Sequence, residues 1–184
     1  MNKITLAAAL LALATSASAQ LTNKAYIGGA FGASNVAVEC GFPYSCDNDD
    51  TGYKFYAGYK VHPQIAIEGG YIDFGKSSIS VGSIGVGSIA VDAFLVNAAG
   101  RLPFTRELTG VGRLGLAFVD TKVSGRTIYG NRTESTTSAY FGLGLEYSFN
   151  KNLRGTAAAD FTTGEVDGNE GTVRLLSIGL QYDF

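Results

Sequence analysis

The chain has 184 residues, enough for one domain, and carries 14 basic and 16 acidic side chains for a formal charge of −2. That balance offers no basic surface for nucleic acid, and one histidine with two cysteines is a poor stock for a metal centre or a histidine-based active site. After residue 19 no apolar run reaches the roughly 18 residues of a membrane helix, yet Gly is abundant at 25, Tyr and Phe total 21, Pro is rare at 3 and Trp is absent.

The first stretch has the layout of a secretory signal peptide. Met1-Asn2-Lys3 is a short positive region, Ile4 to Thr15 is apolar, and Ala17-Ser18-Ala19 is a small-x-small site before Gln20. The apolar segment of 12 residues is too short to span as a helix. No Cys stands at the cleavage site, so a lipid anchor is not expected there. Residues 1–19 are therefore expected to be removed, leaving 20–184 as a single domain with 13 basic and 16 acidic residues, a charge of −3.

A first strand is expected over 24–33, followed by a long polar connection over 34–51. Cys40 and Cys46 both lie in that connection. An even pair in an exported protein should form a disulfide; as a metal site, two thiols with no His nearby are too few ligands. Asp47-Asn48-Asp49-Asp50-Thr51-Gly52 resembles the opening of a calcium loop, but Gly58 stands where the closing Glu should be, which excludes an EF-hand. A solvated turn and loose divalent binding at this acidic tip both stay open.

The next two strands are expected over 52–61 and 64–75, joined by a tight turn at His62-Pro63. In the first, Tyr53, Phe55, Ala57, Tyr59 and Val61 share one face, and Lys54, Tyr56, Gly58 and Lys60 the other. Such period-two alternation gives a strand two different faces. A Gly/Ser-rich connection over 76–87 leads to a strand over 88–102, a short turn at 103–107 and a strand over 108–121. That last segment contains Gly110-x-Gly112-x-x-Gly115, but the pattern continues as strand through Leu116 and Phe118. A dinucleotide fingerprint needs a helix there.

The connection over 122–137 holds Asn131-Arg132-Thr133, a glycosylation sequon read as chance. From Ser138 to Phe149 every second residue is apolar: Ala139, Phe141, Leu143, Leu145, Tyr147 and Phe149. A turn at 150–152, a strand over 153–162, a connection over 163–171 and a strand over 172–184 complete the chain. In the last strand Leu176, Ile178, Leu180, Tyr182 and Phe184 oppose Ser177, Gly179, Gln181 and Asp183.

Three features separate this pattern from a soluble sandwich. The segments run to about ten residues or more, the length a tilted strand needs to cross a bilayer. The non-apolar face mixes Gly and Ala with single charges, which would weaken a water-facing strand but suits a narrow barrel interior. Short connections alternate with long ones, as in an outer-membrane barrel with both termini periplasmic and four long external loops. The expected fold is all-β: an eight-stranded antiparallel up-and-down transmembrane barrel.

Particular motifs add a resemblance. Asp50 to Gly75 reads DTGYKFYAGYKVHPQIAIEGGYIDFG, with Gly58-Tyr59 ending one strand and Glu68, Gly69, Gly70, Tyr71, Asp73 and Gly75 in the next. GRLPF at 100–104 and GRLGLAFVDT at 112–121 follow in order. Together these resemble the OmpA-like transmembrane barrel superfamily, in its short opacity-protein or porin-family branch, over essentially all of the mature chain. The terminal Phe184, with Leu180 and Tyr182 on its face, is similar to the signal that the outer-membrane insertion machinery reads. OmpA itself continues into a peptidoglycan-binding domain; since this chain stops at Phe184, tethering to the cell wall is not implied.

By strand parity Lys54, Lys60, Glu68, Arg113, Glu146, Arg154 and Asp160 point inward, and Arg101 joins them if its strand keeps register from Asn97. Buried charges are costly unless paired, so these should pair across the lumen. Two functional classes stay open: a structural or surface-interaction barrel with a plugged polar lumen, and a small pore or carrier for hydrophobic or small solutes. No enzyme is expected. A lipid-modifying barrel of the deacylase type needs a Ser with a His base near the outer leaflet, and His62 lies in a periplasmic turn. The expected partners are outer-membrane lipid and lipopolysaccharide, the insertion machinery during assembly, and an unidentified extracellular ligand at the loops. No cofactor, metal or nucleic acid is expected, and the location is a Gram-negative outer membrane.

Overall fold

A computed structural model describes residues 24–36, 44–81, 84–125, 132–166 and 169–184. The proposed signal segment and Cys40 lie outside them. Among the described residues the strands are β1 (Ala25–Val36), β2 (Tyr44–Asp47), β3 (Asp49–His62), β4 (Ile65–Val81), β5 (Ile84–Pro103), β6 (Leu108–Gly125), β7 (Arg132–Ser148), β8 (Leu153–Val166) and β9 (Asn169–Asp183). All pair antiparallel with their ring neighbours, and β4–β5 and β1–β9 pairing closes the ring. Eight strands make the barrel. The short β2 continues the line of β3 outward and pairs only with β4, from Tyr44↔Val81 to Asp47↔Ser78.

The cross-strand registers give the stagger of the barrel. From Asp160 the cross-strand row runs through Gly142, Arg113, Ala99 and Ala66 to Lys60; in the other direction it runs through Leu175 and Ser34 to Asp50. The two arrivals on β3 differ by ten residues, Lys60 against Asp50. A shift of about 33 Å along the strands over a circumference of about 38 Å tilts them by roughly 40°, the usual barrel tilt.

Turn chemistry explains the tight ends. Asn150 Oδ1 accepts the N–H groups of Asn152 and Leu153 at 2.9 and 2.8 Å, and Thr105 Oγ1 accepts those of Glu107 and Leu108 at 3.2 and 3.0 Å. His62 and Ile65 flank a two-residue turn of Pro63 and Gln64. At the other end the expectation of long loops needs correction. Much of 76–87, 122–137 and 163–171 is strand, continuing β4–β5, β6–β7 and β8–β9 well past the apolar alternation. Backbone pairing needs no apolar side chain, so a hairpin in water can extend a membrane strand with Ser, Thr and Gly.

The outward face is apolar. Ile67, Phe94, Leu114, Leu143 and Ile178 are each exposed by about half or more, as lipid-facing residues are in a chain without its bilayer. Aromatics gather at its two ends: Tyr59, Tyr147, Phe149, Tyr182 and Phe184 near the short turns, and Phe31, Tyr53, Tyr71 and Phe161 toward the long hairpins.

Candidate functional site

The inward face has two layers. In the outer half, Ile72, Phe74, Ile89, Val91, Leu95, Val119, Val173 and Leu175 pack into one buried apolar cluster. In the half nearer the short turns, the lumen holds ions. Parity along each strand sends these side chains in, and the stagger sets which of them meet.

Lys54 Nζ lies 2.7 Å from Asp160 Oδ1, and the Tyr140 hydroxyl is hydrogen-bonded to the same carboxylate. Arg113 Nε donates to Glu68 Oε2 at 2.8 Å. Arg101 reaches Glu146 through Nε at 3.3 Å and Nη2 at 3.2 Å, and its Nη2 is 3.5 Å from Glu68. Arg154 bridges Glu146 at 3.0 Å and Asp183 at 2.9 Å. Lys60 Nζ is 2.7 Å from Asp183 Oδ2. Arg113, Glu68, Arg101, Glu146, Arg154 and Lys60 thus belong to one chain of contacts, with Asp183 as a further carboxylate, and Lys54 with Asp160 forms a separate pair beside it. Lys60 and Arg154, at 15% and 19% side-chain exposure, mark its wetter end.

Neutral groups extend the network. Tyr26 Oη donates to Glu68 Oε1 at 2.7 Å, Asn97 Nδ2 to Glu68 Oε2 at 3.0 Å, and Gln181 Nε2 to Asp183 Oδ1 at 2.7 Å. Arg101 and Arg113 also sit over the Tyr26 and Tyr56 rings, at 4.7 and 5.4 Å from the centroids. The inward glycines make room for these rings. Tyr26 stands opposite Gly58 and Tyr56 opposite Gly28, and a Cβ on either glycine would overlap the facing ring. Asp183, Tyr26, Tyr56, Tyr140, Asn97 and Gln181 were not singled out from sequence, although inward parity on a Gly-rich face was the available signal.

A cavity of about 10 Å³ lies against Lys54, Tyr56, Arg113, Glu146, Thr156 and Ser177. That is room for about one water. Charge that pairs this closely in a dry interior attracts strongly, and the attraction offsets the cost of stripping its hydration. The arrangement is suited to filling a lumen. His62 is exposed in its turn, where its Nδ1 accepts the Gln64 N–H at 3.4 Å.

At the outer end a second polar level begins outside the ring. Asp73, Asp92 and Asp120 stand directly opposite one another on β4, β5 and β6, one step beyond the outward aromatics Tyr71, Phe94 and Phe118. Lys122 Nζ is 2.6 Å from Asp92 Oδ1. The hydrogen bond to Asp92, and then its charge, hold the Lys122 ammonium above the ordinary lysine pKa. These charges mark where the lipid-facing surface ends. The acidic stretch at 47–52 is also outside it: Asn35 Nδ2 donates to Asp49 Oδ1 at 2.8 Å, and Asp50 accepts backbone N–H groups. Cys46 lies on β2, but the pairing of its thiol with Cys40 falls outside the described residues.

Comparison with known proteins agrees with this architecture. A family described as outer membrane protein beta-barrel domain matches residues 5–184. No curated protein matches the chain. Among solved structures, Ail of Yersinia pestis superposes with a TM-score of 0.58 at 17% identity, covering 89% of this chain and 100% of that one. OprG from Pseudomonas aeruginosa gives 0.65 at 13%, covering 89% and 96%, and Neisserial surface protein A gives 0.62 at 11%, covering 87% and 97%. At these identities the likeness is one of fold.

Proposed function

The chain belongs to the outer membrane protein β-barrel family, and from that premise we propose that it is a structural and surface-contact barrel with a plugged lumen. The observation that carries the reading is the interior itself: a buried apolar layer stacked on a paired charge network, with room for about one water beside Lys54 and Arg113. An eight-stranded barrel is just wide enough for side chains to fill, which supports the plug. Activity then resides in the external hairpins. Ail, a barrel of the same fold, has been crystallised with the heparin analogue sucrose octasulfate; for the present chain we propose an extracellular ligand without assigning its class.

The same reading carries the steps by which the protein reaches its place. Residues 1–19 are removed on export to a Gram-negative outer membrane, and Leu180, Tyr182 and Phe184 present the terminal aromatic face to the insertion machinery. Cys40 and Cys46 form a disulfide in the oxidising periplasm. Lipid and lipopolysaccharide surround the barrel, and no catalysis is assigned. The test is planar-bilayer recording on pure monomer: no steady conductance is expected, and stable single-channel steps would overturn the plug.

One observation favours a second reading, a carrier for small hydrophobic solutes. The outer half of the lumen is lined by Ile72, Phe74, Val91, Leu95 and Leu175 rather than by ions. Uptake of an apolar dye by cells expressing the protein, above that of cells lacking it, would favour the carrier even where ionic conductance is nil.

A further inference from the structure

The backbone ladder between β3 and β4 breaks at the outer rim. Regular pairing runs up to Tyr53↔Asp73 and resumes between β2 and β4 at Asp47↔Ser78. On the other edge of β4 the register to β5 shifts between Asp73 and Lys76. Gly75 sits inside this bulge with φ at +76°, a left-handed conformation that favours glycine.

Where backbone bonds stop, side chains take over, Asp50 foremost. Asp50 Oδ2 accepts the Lys76 N–H at 2.7 Å, and its Oδ1 accepts the Thr51 N–H at 2.8 Å. The carboxylate therefore holds the first residue beyond the bulge to the start of β3. Asp73 Oδ1 accepts the Gly75 N–H at 2.8 Å from within the same strand. Gly75 also clears the path: a Cβ there would lie 2.5 Å from Asp50 Oδ2. Further in, Ser34 Oγ donates to the Phe74 carbonyl at 2.6 Å, and Ser77 Oγ to Asn48 Oδ1 at 2.9 Å.

We propose that Asp50 is a latch, and that the Gly75 bulge is the hinge it closes. The pair fixes the angle at which the outer sheet of β2 and the far parts of β4 and β5 stands above the barrel. The barrel below does not depend on it, because its ladder from Tyr53↔Asp73 downward is continuous until the shift near Lys60 and His62 at the turn. Releasing the latch loosens the β4 edge of the hairpin, whose β5 edge stays paired to β6 from Gly87 on, and leaves the membrane-spanning ring closed. This goes beyond the surface-contact reading, since it concerns how the hairpin is held, whatever the hairpin meets.

The test is hydrogen exchange by mass spectrometry on the full mature chain folded in lipid. Asp50→Ala should speed exchange in peptides covering 76–89 by about tenfold or more, as loss of the charge-assisted bond to the Lys76 N–H implies, with 93–101 and 111–119 unchanged. Asp50→Asn retains one acceptor oxygen and should fall between Asp50→Ala and the parent. Gly75→Ala strains the bulge from the opposite side and should loosen the same peptides. Protection within twofold of the parent in both Asp50→Ala and Gly75→Ala would overturn the latch. So would equal loosening of all strands, which would make Asp50 a general stability residue. If Asp50→Ala does not fold, that too counts against a local latch, and the Asn variant must then show the same barrel-wide effect.

Discussion

Removing the guanidinium of Arg113 tests the lumen most directly. The residue is 4% exposed, its Nε is 2.8 Å from Glu68 Oε2, and its Nη2 is 3.9 Å from Glu146 Oε1. Breaking a buried pair costs about 3–5 kcal/mol, because the surviving charge stays desolvated. Here Glu68 would keep the Tyr26 hydroxyl at 2.7 Å, the Asn97 amide at 3.0 Å and Arg101 at 3.5 Å. Those partners place Arg113→Ala at the low end, about 3 kcal/mol, or roughly a hundredfold in the folding equilibrium. Reversible urea unfolding in lipid vesicles reads this directly. The double variant Arg113→Ala with Glu68→Gln should recover about half of the loss, since no uncompensated charge remains. A loss under about 0.5 kcal/mol for Arg113→Ala, the size of an ordinary surface change, would refute the claim that the pair is dry and coupled.

Other expectations follow from the two faces and the ends of the chain. Leu143 is 52% exposed on the lipid side, opposite Gly112 and Ala159. Leu143→Arg should lower unfolding stability by about 2–4 kcal/mol, whereas Ser78→Arg on the external hairpin should change it little; equal tolerance would overturn the parity. Replacing residues 124–136 should leave stability nearly intact by the same assay. Deleting Phe184 should reduce the amount of protein in the outer membrane, measured by fractionation at native expression. Purified native protein should show no thiol reactive to a labelling reagent without reductant, and full labelling of Cys40 and Cys46 would contradict their pairing.

How much of this was legible depends on what each signal measures. Alternation reports two unlike environments, so it located the membrane-crossing parts of the strands: Tyr53 to Val61 and Ala139 to Phe149 carry it plainly. It gives no signal where most side chains are polar, which is why Lys76 to Val81 and Arg132 to Thr137 looked like loops although their backbones pair. Parity alone is enough to put Lys54, Glu68 and Asp160 on one face, because the side-chain period of a strand is two. It cannot say that Lys54 meets Asp160, 106 residues away, since that depends on the stagger of a closed ring. The inward tyrosines were hidden for another reason. Tyr serves equally well in an aromatic girdle, as Tyr59 does; parity puts Tyr56 on the face of Lys54 and Lys60, and the glycines opposite Tyr26 and Tyr56 give their rings room.

That dependence on closure gives the charge network a further consequence. Shifting one strand by a single residue would turn its buried set toward lipid, and a shift of two would keep the faces but move each ion out of reach of its partner. Apolar side chains in the outer layer tolerate such a slip, because Ala93 against Val119 differs little from Ala93 against Ala117. Ions do not: Lys54 shifted by about 7 Å along β3 loses Asp160 and leaves a carboxylate unpaired in the interior. The apolar layer therefore contributes burial with little discrimination among registers. The ion layer contributes less net stability, since desolvation cancels much of its attraction, but it penalises every wrong stagger. The two layers divide the work of holding eight strands together and of holding them in one register.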